Sequence, residues 1–201
     1  MEDMHMHLKK GVTDISIMQK YVEKCKEMKL NRVLFLDHGN RMSPKHTPVL
    51  NEPKVIDKFF ENIKIIKENN PDIEINAGIE SDFSYDEEFK EKEIEILRSY
   101  PFDYVIGSVH GMEKANYIDY LQANIDMIKT YPINIIGHLK LRKEYEQYKE
   151  KIEEIVKLAI QLKANEIIFS FMEASFYDVF HPYNRILLII ALCNFFINCS
   201  L

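Results

Sequence analysis

Apolar residues along this chain follow two alternating periods. Between residues 16 and 29 they recur at Ile17, Met18, Tyr21, Val22 and Cys25, the three-and-four spacing of a helix face, with Asp14 or Thr13 placed to cap its start. A strand follows from Arg32 or Val33 through Leu34, Phe35 and Leu36. The exchange then repeats. Helices are predicted over residues 55–69, 86–99, 117–131, 144–162 and 184–192, and strands over 74–80, 102–109, 133–137, 166–171 and 195–199. With a first short strand over residues 4–7, seven strands alternate with helices. Parallel strands need such crossovers, so the pattern predicts an α/β fold, either a barrel or a doubly wound sheet.

Composition narrows this to one domain over residues 1–201, because 201 residues at 46% hydrophobic content bury one good core. A net charge of −6, with lysines interspersed among glutamates, offers no basic track and argues against a grip on duplex nucleic acid. Cys25, Cys193 and Cys199 are an odd count without metal-ribbon spacing and read as buried thiols in a reducing compartment. Acidic and histidine residues in the first seven positions replace the basic and apolar regions of a signal peptide, so a cytoplasmic location is expected. The apolar run over 186–196 falls short of the roughly 20 residues that span a bilayer, so no membrane partner is expected. The glycines form no phosphate-binding fingerprint, which leaves a nucleotide loop unsupported.

Candidate chemistry sits where apolar runs give way to polar turns. The places are Met4-His5-Met6-His7, Leu36-Asp37-His38, Gly78-Ile79-Glu80, Gly107-Ser108-Val109-His110 and Ile136-Gly137-His138. In a barrel of parallel strands such ends converge on one face, where scattered ligands can share a metal cluster. His5 and His7 are two apart, so on an extended strand both project to the same side. Imidazole suits zinc, iron, manganese or nickel, and the two oxygens of Glu80 can bridge a pair of cations. Paired cations suit hydrolysis of a phosphate ester. Taken singly, His38, His110 and His138 each read more readily as hydrogen-bonded structural histidines, and only their shared placement favours ligation. His46 and His181 lack a strand-end context and read as loop histidines. Arg41 and Arg142 stand three and four residues after candidate ligands, within reach of a phosphate.

These five motifs, in this order, resemble those of the polymerase and histidinol phosphatase (PHP) superfamily, and residues 100–110 resemble its histidinol-phosphatase branch in particular. The resemblance implies a distorted (β/α)7 barrel with a trinuclear metal site that hydrolyses phosphomonoesters. Carried over, it assigns His5, His7 and Glu80 to a first ion, Glu80, His110 and His138 to a second, and His38 to a third. Glu80 and His110 would carry catalysis. Asp14 stands near the place of a further first-motif ligand but is also positioned to cap a helix. The family's last strand runs into an Asp-x-His segment. Residues 195–201 resemble that strand without the two ligands, and residues 167–173 depart from the usual Glu-Ile-Asn-Thr pattern. A barrel shortened at its C-terminus is therefore expected, holding one or two divalent ions (Mn, Zn or Fe) where complete relatives hold three. The expected substrate is a small phosphorylated molecule such as L-histidinol phosphate. Two alternatives are a degenerate barrel that binds metal or a phosphorylated ligand without turnover, and a phosphoesterase of nucleotides or oligonucleotide ends. Oligomeric state is not legible.

Overall fold

In the computed structural model, which describes residues 2–39, 50–112, 116–137, 139 and 145–161, five strands lie side by side in chain order and every neighbouring pair is parallel. They are β1 (Glu2–His7), β2 (Arg32–Leu36), β3 (Glu74–Asp82), β4 (Tyr104–Ser108) and β5 (Ile135–Gly137). Helices α1 (Ile15–Glu27), α2 (Pro53–Asn69), α3 (Glu87–Ser99) and α4 (Tyr117–Thr130) make the crossovers, and α5 (Lys149–Gln161) follows β5. The predicted strands over 166–171 and 195–199, and the helix over 184–192, lie outside the described residues, as does part of the domain expected over 1–201. Among the described residues no helix is long and apolar enough to cross a membrane.

Each helix start has a local cause. Asp14 caps α1, its carboxylate accepting the Ser16 and Ile17 amides at 2.9 and 3.4 Å. One of its two oxygens, Oδ1, therefore serves the helix end, the second of its two expected roles. Pro53 opens α2 in the first turn, where its missing N–H removes no intrahelical bond. The helix then buries Ile56, Phe59, Ile63 and Ile66, and packs on β3. Asp86 and Asn116 cap α3 and α4 by accepting the Phe89 and Ile118 amides. The helix predicted over 144–162 begins instead as a 3-10 turn, Tyr145–Tyr148, before α5.

The sheet curls into a half-barrel, and its concave side is apolar at depth. Met4, Leu34, Leu36, Ile106 and Ile135 form one buried cluster there, with Tyr104 packed against it. Strict alternation would put Met4 and Met6 on the same face and both histidines on the other. The ladder avoids this with an irregularity: from Asp3 to Met6 β1 advances three residues while its partners on β2, Val33 to Phe35, advance two. This bulge lets Met4 join the inner cluster while His5 and His7 also turn inward, and Met6 faces Cys25 of α1, its Sδ 3.9 Å from the thiol.

Strand β3 runs two residues past its predicted end. Ser81 and Asp82 look like a turn in sequence, yet they pair with Gly107 and Ser108 of β4, and the Phe83 amide donates to the Ser108 carbonyl at 2.9 Å. The extension carries Glu80 and Asp82, two apart and hence on one face, to the mouth of the half-barrel.

Candidate metal centre

Strand ends supply every described group of the site. His5 and His7 come from β1, Glu80 and Asp82 from β3, Ser108 from β4, and His38 and His110 from the residues just beyond β2 and β4. His38 is drawn alongside Glu80 by an isolated parallel bridge: the Glu80 amide donates to the Asp37 carbonyl at 3.0 Å, and the Gly39 amide to the Glu80 carbonyl at 2.9 Å.

Glu80 is the centre. Its side chain is fully buried, and Oε2 lies 3.2 Å from His5 Nε2, 3.1 Å from His7 Nε2 and 3.2 Å from His38 Nδ1. The two Nε2 atoms are themselves 3.1 Å apart. The other oxygen, Oε1, accepts from Ser108 Oγ at 2.7 Å and lies 3.5 Å from His110 Nε2. Strands two apart in a flat sheet are separated by roughly 9.5 Å, so contact between a β1 histidine and a β3 carboxylate requires the sheet's curl.

Behind the imidazoles stand two more buried carboxylates. Asp82 Oδ1 lies 2.8 Å from His110 Nδ1, and Asp37 Oδ1 lies 3.5 Å from His7 Nδ1. A carboxylate on one ring nitrogen holds the proton there and leaves the other nitrogen's lone pair for the site. Asp37 is held in turn by the His38 amide at 2.8 Å and by the Lys9 amide, which reaches it because Lys9 takes a left-handed backbone, φ 52°. Burial works against a charged His7, but its contacts with Asp37 and Glu80 outweigh this and raise its pKa from 6.5 to about 9. Burial likewise pushes the Asp37 carboxyl upward, and the His7 contact with the amide hydrogen bonds reverses it to a net lowering.

The donor set fits a divalent cation. His5, His7 and Glu80 each offer an atom within 4.8 Å of the others, and the edges of 3.1 to 3.2 Å approach the roughly 3.3 Å edge of a tetrahedron with bonds of about 2.0 Å. Charge points the same way, since Asp37, Glu80 and Asp82 are all buried and buried carboxylates require positive charge close by. The family resemblance assigns His38 to a third ion. The structure brings His38 to the same Glu80 oxygen as His5 and His7, and stacks its ring on His7 with centroids 4.4 Å apart. His138, Arg41, Arg142, His46 and His181 lie outside the described residues. Sequence reasoning assigns no role to Asp37, Asp82 or Ser108, although Asp37 and Ser108 stand inside two of the five motifs and Asp82 is offset by two residues from Glu80 on one strand.

Five parallel strands curled into a half-barrel, with imidazole and carboxylate donors gathered at their C-terminal ends, define an α/β protein with a candidate metal centre. Residues 3–168 match the PHP domain family, and the chain belongs to it. A histidinol-phosphatase from Lactococcus lactis subsp. lactis (strain IL1403) is 26% identical over 191 residues, covering 86% of this chain. The chain spans 66% of that relative's length, slightly less than two thirds. The crystal structure of a candidate histidinol phosphatase from Listeria monocytogenes has the same fold, with a TM-score of 0.63 at 16% identity over 96% of this chain and 91% of that one.

Proposed function

We propose that this chain is a metal-dependent phosphoesterase of the histidinol-phosphatase type, acting on a small phosphomonoester such as L-histidinol phosphate. The observation that carries the reading is the triangle of His5 Nε2, His7 Nε2 and Glu80 Oε2 at the C-terminal ends of parallel strands, the face where barrels of this kind place their chemistry. Family membership and the distant histidinol-phosphatase relative support the substrate class. Completion of the half-barrel to seven strands is part of the same proposal and rests on the sequence patterns at 166–171 and 195–199.

His5, His7 and Glu80 would hold one cation (Mn, Zn or Fe), and Glu80 with His110 and His138 a second. When bound, such ions supply Lewis acidity to a phosphoryl oxygen and to water. The chain's own groups do the rest. Glu80 presents one oxygen to each side of the site. Asp37 and Asp82 fix the His7 and His110 rings so that Nε2 faces inward. The apolar cluster of Met4, Leu34, Leu36, Ile106 and Ile135 closes the floor against water. Arg41 and Arg142 are proposed to bind the phosphate dianion through their guanidinium forks.

Protein reconstituted with manganese or zinc is expected to release phosphate from L-histidinol phosphate or an aryl phosphate, and to lose that activity on chelation or in His110→Ala. Activity indifferent to both would overturn the reading. Metal binding with no turnover across a phosphoester panel would favour a binding role, and release of mononucleotides from short single strands would move the substrate to nucleic-acid ends.

A further inference from the structure

We propose that Ser108 is a positioning residue for Glu80, and that the lack of a side chain at Gly137 is what leaves room for the serine hydroxyl to act. The inference rests on the metal-centre reading above. A carboxylate has two equivalent oxygens on a rotatable bond, and three imidazole nitrogens need one of them held still. Ser108 provides this by donating from Oγ to Oε1 at 2.7 Å, which leaves Oε2 facing His5, His7 and His38 at 3.2, 3.1 and 3.2 Å. Both side chains are fully buried, so no water competes for the bond, and donation to an ionised oxygen strengthens it.

Sheet register explains the meeting. Glu80 pairs with Ile106 across β3 and β4, and Ser108 lies two residues further along the same face. Gly137 of β5 is the register partner of Ser108 on its other side. A Cβ at Gly137 would overlap Ser108 Oγ and come within 2.8 Å of Ile106 Cγ2. Gly137, one residue before the candidate ligand His138, thus acts through its strand neighbour, as space for a hydroxyl. Because the Ser108 proton is committed to Glu80, this serine is also placed as a support and not as a nucleophile.

The test is the zinc affinity of the metal-free full chain, read by competition with a chromogenic chelator, for wild type, Ser108→Ala, Gly137→Ala and the double variant. Each single variant is expected to weaken zinc binding by roughly 10- to 100-fold, with the melting of metal-free Ser108→Ala close to wild type. The double variant should lose less than the product of the two single losses, because the new methyl then meets Ile106 Cγ2 but no hydroxyl. Wild-type affinity in Ser108→Ala, or losses that multiply in the double variant, would overturn the proposal while leaving the metal centre standing. A wild-type chain that binds no zinc would overturn the metal-centre reading, and this inference with it.

Discussion

At His7 two opposing effects meet, burial lowering the pKa and the Asp37 and Glu80 carboxylates raising it, and the carboxylates prevail at about 9. The folded-state value therefore exceeds the ordinary 6.5. The resulting stabilisation of the metal-free protein is fully present below about pH 6.5 and is lost as pH rises through about 9. Chemical denaturation of metal-free protein between those values should show stability falling with pH, less so in His7→Gln. Metal binding needs the unprotonated ring, so near neutrality it should expel protons, and apparent affinity should climb with pH until His7 has titrated. Calorimetry in buffers of different ionisation enthalpy reads this directly; the same heat in every buffer would contradict it.

Among the elements, the helices were legible because a three-and-four spacing needs only one buried face, as at Ile56, Phe59, Ile63 and Ile66 of α2. The strands were less so at their working ends. Ser81 and Asp82 are polar and read as a turn, but partners on β4 and in the site make strand the better state for them. The bulge in β1 had no signature, since it exists only relative to β2. Alternation places His5 and His7 on one side, as the structure has them, and it does not account for Met4 joining that side. Asp14 separates two accounts of its segment. As a helix cap, Asp14→Ala should lower the melting temperature by a few degrees and leave metal affinity unchanged; a large drop in affinity with unchanged melting would make it a ligand instead.

Across the whole molecule, the site depends on curvature that brings β1 within reach of β3, so the cation and the fold are coupled. A ligand bound to the folded chain stabilises it by mass action, by about 2.7 kcal/mol at a hundredfold excess over Kd. Zinc or manganese should thus raise the melting temperature, a chelator should reverse the rise, and His5→Ala, which removes a ligand of one of the two proposed cations, should make it smaller. The candidate ligands could be read from sequence because strand ends recur at apolar-to-polar boundaries; their supports could not, because Asp37 meets His7 and Ser108 meets Glu80 only through register and curl. The most direct measurement is anomalous diffraction from crystals of the full chain soaked with zinc or manganese. The account predicts a peak at about 2.0–2.2 Å from His5 Nε2, His7 Nε2 and a Glu80 oxygen together; a cation bound elsewhere, with these three side chains uninvolved, would contradict it.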